Sequence, residues 1–230
     1  MFKKKVLNIR VEALDYSIQG SLEGLSLKEY GYSNFKAMFS PRGTRLGGKT
    51  SGIPDNSPHK ITKLGTHLHL NIDNQLHFLS NRNVFEAPIK DGVHKLFAFV
   101  CGSNYSSIKT PDAQLCKLVE LRNGQLIKSN DLEQAFLIYN APLMENMYME
   151  NQKIILDFVL FNCQIAPNQN YVALSINEQK ITQLHQWQAY QLIGLPRGSY
   201  RIKLELYDAN DKLLAPPVEQ QIRVQASTQD

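Results

Sequence analysis

Residues 65–92 read GTHLHLNIDNQLHFLSNRNVFEAPIKDG and continue as VHKLFAFV at 93–100. The same plan returns at 170–198 as NYVALSINEQKITQLHQWQAYQLIGLPRG, followed by SYRIKLEL at 199–206. Leu70, Ile72, Asp73 and Gln75 fall against Leu174, Ile176, Asn177 and Gln179. Downstream, Gly92, His94, Leu96, Ala98 and Val100 fall against Gly198, Tyr200, Ile202, Leu204 and Leu206. Upstream, Ile9, Val11, Ala13, Asp15 and Ile18 are set against Leu156, Phe158, Leu160, Asn162 and Ile165. Every second residue of these runs is apolar, so one face of each segment packs on a core as a β-strand. Acidic and amide residues close the strands, where their side chains bond the local backbone of a turn. The chain is read as a duplication of one β module.

Short strands with turn signals at close spacing, and almost no helical periodicity, predict an all-β protein of two tandem immunoglobulin-like β-sandwich modules. The first is expected over residues 1–128 and the second over 135–230, with Ser129–Gln134 as a single helical turn between them. Residues 20–61 find no partner in the second module and carry many glycines and prolines. They are read as a long loop insertion in the first module, whose basic part, SPRGTRLGGKTSG at 40–52, is expected to be solvated. That part could instead cradle an anion through its backbone, but it lacks the spacing of a phosphate-binding loop.

The length of 230 residues accommodates two domains, and 43% hydrophobic with 20% charged residues describes a folded globular chain. A net charge of +4 with both signs mixed gives no footprint for nucleic acid. No stretch approaches a transmembrane span, and Asn8, Arg10 and Glu12 interrupt the start of the chain as a signal peptide. Cys101, Cys116 and Cys163 form no CxxC pair; buried thiols are expected, with a Cys101–Cys116 disulfide the alternative in an oxidising compartment.

His67 and His69 flank Leu68 on one strand and so point to the same side, a spacing at which two imidazoles share a copper or zinc ion. Asp73, His77 and His94 are near enough in sequence to assist. Tyr171, Ala173 and Tyr200 replace His67, His69 and His94 in the repeat, so the strand frame does not require the histidines, and a solvated strand face is the simpler reading. A cupin-like metalloenzyme would need the first module to close as one barrel with these histidines inside. No G-x-S-x-G elbow or Ser–His–Asp set is assembled. Trp187 is expected in the core rather than exposed for stacking on a sugar, and Met144, Met147 and Met149 form an apolar loop.

The segments GTHLHLNIDNQ, DGVHKLFAF, FLIYNAP, IILDFVLFNC and QLHQWQAYQLIGLPRGSYRIKLELYD together resemble a family of two-module cell-envelope lipoproteins from Bacteroidetes-type bacteria, some members of which carry the label phosphopeptide-binding. The resemblance covers most of the chain outside residues 20–61. It implies secretion to the envelope and a lipid anchor. The family's polar run SRxxHES corresponds to CGSNYSSIK, in which Ser107 and Lys109 match, and its YSRP corresponds to Tyr139-Asn140-Ala141-Pro142. Ser107, Lys109 and Tyr139 are therefore the ligand-binding residues that the resemblance implies. Together these readings lead to a non-enzymatic binding or interaction protein of the cell envelope, with a protein or glycan partner and no cofactor. The alternative is a copper- or zinc-binding protein using His67 and His69, with His94 or His77 assisting.

Overall fold

The computed structural model describes residues 9–14, 21–29, 35–42, 45–54, 57, 61–74, 76–87, 89–123, 125–143 and 147–226. Residues 6–8 of the expected first strand and Met144 of the methionine-rich loop lie outside them. The chain divides into two compact units, Tyr16–Gln134 and Met1–Asp15 with Ala135–Asp230. The first is thus inserted into the second.

The inserted unit sets a sheet of β2 (Ser21–Glu29), β3 (Phe35–Arg42) and β6 (Val84–Ala87) against one of β4 (His67–Ile72), β5 (Leu76–Ser80), β7 (Gly92–Cys101), β8 (Gln114–Arg122) and β9 (Gln125–Asp131). Their orders are β2-β3-β6 and β5-β4-β7-β8-β9. In the enclosing unit, β1 (Arg10–Ala13), β10 (Phe136–Ala141), β12 (Ile154–Phe161) and β15 (Tyr190–Ile193) pair as β1-β15-β12-β10. Its other sheet runs β11-β17-β16-β13-β14, from β11 (Tyr148–Met149), β13 (Tyr171–Ile176), β14 (Gln179–Leu184), β16 (Gly198–Tyr207) and β17 (Val218–Gln225). Strands β2, β3 and β6 correspond to β10, β12 and β15, and β4, β5, β7 and β8 to β13, β14, β16 and β17. Each unit is an immunoglobulin-like sandwich, and the duplication is one of topology as well as sequence.

Three expectations are corrected. Residues 20–61 contain β2 and β3, two strands of the sandwich, rather than a loop without a counterpart. Their alternation is broken by a register shift between Glu23 and Leu25, at Gly24, and β3 carries Pro41 near its end; both features weaken a strand signal. Secondly, β1 belongs to the enclosing unit and not to the first module, so a boundary drawn as 1–128 and 135–230 misplaces it. Arg10 pairs with Ile193 and Ala13 with Tyr190, and β3, not β1, is the counterpart of β12. A four-residue alternating segment fits any half-buried edge, so its pattern could not choose between sheets. Finally, Ser129–Asp131 extends β9, pairing with Lys117–Val119, instead of turning as a helix. Continuing a hairpin satisfies more backbone groups than one isolated helical turn, whose nucleation is unfavourable.

Leu68, Leu70, Ile72, Leu96, Ala98, Val100, Val119 and Leu121 fill the core of the inserted unit. Leu156, Phe158, Leu160, Val172, Leu174, Ile202, Leu204 and Leu206 do so in the enclosing one. Apart from Ala98, each such side chain contributes roughly 1.5–3 kcal/mol on burial. Trp187 packs against this second core and donates from Nε1 to the Phe158 carbonyl at 3.2 Å, as expected of a core residue.

The hairpin turns show the repeat at atomic level. Asp73 and Asn74 have φ of 55° and 58°, and Asn177 and Glu178 have 48° and 65°, the left-handed pairs that favour tight hairpins. The Asp73 carboxylate accepts from Lys95 N at 2.8 Å, and the Asn177 amide oxygen from Arg201 N at 2.8 Å. From the third residue of each of β7 and β16 a second shared bond runs back four residues. Tyr200 donates its hydroxyl to Pro196 O at 2.8 Å, and His94 places Nε2 2.8 Å from Lys90 O. The first is a tyrosine corner; the second is its histidine equivalent. Gly198 and Gly92 lie under these rings, where a Cβ would stand 3.3 Å from the Tyr200 hydroxyl and 3.5 Å from His94 Nε2. Tyr200→Phe is expected to lower stability by about 1 kcal/mol, read as a fall in the urea midpoint; an unchanged midpoint would show that the corner bond contributes nothing.

A buried histidine–cysteine cluster as candidate site

In β4 the alternation HLHLNI sends Leu68, Leu70 and Ile72 into the sandwich core and His67, His69 and Asn71 to the opposite side of the sheet. The expectation of a solvated face fails here: His67 and His69 are both 0% exposed. The register of β4 on β7 puts His67 opposite Cys101 and His69 opposite Phe99, and Cys101 is also 0% exposed. One ligand atom from each of His67, His69 and Cys101 can be chosen so that all three lie within 4.8 Å of one another.

The rings form a chain. His67 Nδ1 is 2.7 Å from Gly65 O, His67 Nε2 is 2.9 Å from His69 Nε2, and His69 Nδ1 is 2.8 Å from His77 Nε2. Burial pushes His67 down to about 4, helped by the charge of His77 and opposed by the Gly65 carbonyl. Burial, then His77, then His67 hold His69 well below its ordinary range. Both rings are therefore neutral near pH 7. A carbonyl can only accept, so His67 carries its proton on Nδ1 and offers a lone pair at Nε2. His69 must then donate from Nε2 and accept at Nδ1, and His77 donates to it. All three bonds run in one direction, from His77 inward to Gly65.

The start of β4 is fastened by a polar knot. Gly47 N donates to Thr66 O and Thr66 N to Gly48 O, both at 2.8 Å. The Thr50 and Thr66 hydroxyls are 2.6 Å apart, and Ser103 N donates to Thr50 Oγ1 at 2.7 Å. Thr50, Thr66 and Ser103 are all buried. The segment read as a solvated or anion-cradling loop thus binds its own unit at Gly47 and Thr50. Tyr105 (φ 67°) presents its ring edge-on to His67 at 5.1 Å.

The other residues singled out from the sequence lie elsewhere. His94 shares the core-facing side of β7 with Leu96, Ala98 and Val100, and its Nδ1 is 2.6 Å from Asp73 Oδ2. It lies on the opposite side of the sheet from His67 and His69 and is no ligand partner for them, which corrects its inclusion; His77 joins through His69 instead. The cupin-like arrangement is excluded for the same reason: the unit is a two-sheet sandwich, and the histidine pair is outside its core. Ser107 is buried, bridged to Cys101 across the backbone, and accepts from Lys109 Nζ at 2.7 Å. Tyr139 lies on β10 of the enclosing unit, with its hydroxyl buried and its pKa raised well above the ordinary range, chiefly by burial. The three residues implied by resemblance are therefore not an open polar site within either unit.

Cys101 is the member that sequence reasoning missed, though alternation could have found it. Counting in twos from Leu96, Ala98 and Val100 puts Cys101 on the other side of the strand, with Phe97 and Phe99. Cys116 lies opposite Phe97, four residues from Cys101 along the sheet, or about 13 Å. That separation excludes a disulfide between them, and both are thiols.

The strand order defines two immunoglobulin-like sandwiches, one inserted into the other, and the inserted one carries an internal histidine–cysteine group. No protein-family model matches the chain, and no curated protein does. Among solved structures it is similar to the fibronectin(III)-like modules of Clostridium thermocellum CbhA, at 14% identity over 40% of this chain and 98% of that one, with a TM-score of 0.35. The central fibronectin-III array of RIM-binding protein is 10% identical over 95% of this chain and 72% of its own, with a TM-score of 0.32. Bacteroides ovatus SGBP-B of the mixed-linkage glucan utilization locus, solved with a mixed-linkage heptasaccharide, is 12% identical over 94% and 70%, with a TM-score of 0.24. Among the described residues no helix is long and apolar enough to cross a membrane.

Proposed function

We propose that the chain is a non-enzymatic binding protein of the bacterial cell envelope that recognises a protein or glycan partner through exposed strand faces and hairpin tips. The observation that carries this reading is the separation of reactive groups from open surface. The histidine–cysteine cluster is sealed, so it cannot meet a substrate in this conformation. One open concavity is polar: a groove of about 360 Å³ in the enclosing unit, lined by Asn177, Glu178, Ser199, Tyr200, Arg201 and Gln221. Arg201 there lies between Glu178 and Glu219 at 3.8 and 4.0 Å, half exposed. Such a set offers hydrogen bonds and charge for recognition, and its buried member, Tyr200, donates its hydroxyl to the Pro196 carbonyl. The envelope location rests on the family resemblance.

The test is a glycan and peptide array probed with the full chain, beside a panel of ester, phosphate, glycoside and peptide substrates. Selective array binding that falls at least tenfold in Arg201→Glu is expected, with no turnover. Turnover that survives repurification, or array binding indifferent to every groove substitution, would overturn the reading.

A further inference from the structure

Beyond this binding role, we infer that His67, His69 and Cys101 form an internal copper(I) site, with His77 and Gly65 as the groups that orient its imidazoles. Two imidazole nitrogens and one thiolate are a donor set that suits copper, and zinc as well. Charge decides between copper(I) and zinc. The three side chains are 0% exposed, so an uncompensated ion there would be costly. Copper(I) with one thiolate and two neutral imidazoles sums to zero. Zinc(II) with the same ligands leaves one positive charge and a fourth position to fill.

One of the two outer hydrogen bonds, from His67 to Gly65, already has the direction found in a metal centre. Metal-bound histidines donate their second N–H to a carbonyl or similar acceptor, which fixes the tautomer. His67 donates Nδ1–H to Gly65 O at 2.7 Å, leaving Nε2 for the ion. His69 needs one change of tautomer. Its proton leaves Nε2, where the ion binds, and a proton is carried on Nδ1 and donated to His77 Nε2, now 2.8 Å away. His77 then carries its own proton on Nδ1. Cys101 loses its thiol proton and a copper–sulfur bond forms, so one proton is released per ion and nothing is oxidised or reduced. The two Nε2 atoms stand 2.9 Å apart. Ligands in trigonal array around one ion stand about 3.5–3.8 Å apart, so side-chain shifts of about an ångström suffice.

The pairing in the second unit shows what the site replaces. Tyr171 and Tyr207, the counterparts of His67 and Cys101, face each other across β13 and β16 with rings stacked at 5.5 Å. An aromatic pair closes that position in one module, and metal ligands occupy it in the other.

The experiment loads the full chain with copper(I) under anaerobic, reducing conditions, both by incubation and by co-expression in copper-supplemented cells. Binding is measured against a bicinchoninate competitor, and the copper K-edge absorption is recorded. One copper per chain is expected, bound by about two nitrogens and one sulfur, with one proton released. Cys101→Ser should lose the sulfur signal and at least a hundredfold in affinity, while His94→Gln, on the other side of the sheet, should bind like wild type. Should Cys101→Ser fail to fold, the wild-type absorption spectrum alone decides. No copper by either route, a spectrum without sulfur, equal binding in a folded Cys101→Ser variant, or stoichiometric zinc with copper excluded would each overturn the inference.

Discussion

Gly65→Ala is expected to destabilise the inserted unit by about 3 kcal/mol or more, at the upper end of what a single methyl group does. Gly65 has φ of +65°, and a Cβ there would stand 2.6 Å from Gly47 C and Gly48 O and 2.7 Å from Gly47 O. All three are backbone atoms of the segment that bonds Thr66, so no side chain can turn aside. Its neighbours give the scale. Gly47 has φ of +78° with nothing nearer than 3.8 Å, so Gly47→Ala should show only the left-handed strain, about 1–2 kcal/mol. Gly48 has neither problem, with Arg45 O at 3.8 Å, and Gly48→Ala should stay within about 0.5 kcal/mol. Urea denaturation of the three variants checks the order. A Gly65→Ala protein as stable as Gly47→Ala would mean that the two segments are not in contact. The same substitution displaces the carbonyl that holds His67.

The second large effect is on pH. In chelator-treated protein, His67 titrates near its ordinary 6.5 when unfolded and at about 4 when folded. Between those values the unfolded chain binds the additional proton, so stability rises with pH. The contribution is full above about pH 6.5 and is lost as pH falls through 4. It amounts to about 3 kcal/mol for this ring alone, and His69, lowered for the same first cause, adds to it. Urea midpoints from pH 7.5 to 4 should fall steeply in wild type and less in His67→Gln. Parallel profiles would show that the ring is not buried in solution.

Much of the sandwich was legible because period-two patterning survives wherever one face is buried. That is why the hairpins from His67 to Cys101 and from Tyr171 to Tyr207 could be read directly, down to the Asp73 and Asn177 turns. The first two strands of the inserted unit were not legible, because Gly24 marks a register shift and Pro41 a strand end, and each resembles loop chemistry. For β1 the obstacle was physical range: pairing with β15 is decided by a surface formed far along the chain, and four residues cannot encode that choice. In the site, His67 and His69 were found from spacing alone, whereas their burial was not, because alternation tells which side a residue takes and not what lies over it. Including His94 was an error of parity that the Leu96, Ala98 and Val100 series already contradicted.

The placement of β1 also sets an order of events at the ribosome. Glu12 on β1 and Gln191 on β15, joined by a hydrogen bond of 3.1 Å, are separated by 179 positions. At about 5–20 residues per second, β1 waits roughly 10–35 s for its partner to be made. The inserted unit is complete before then and can fold as a whole while the first strand stands idle. Until β1 arrives, β15 presents an open edge to other chains. Strand β1 is therefore paired only after the inserted unit is complete, in a module whose other strands are all synthesised more than a hundred residues later.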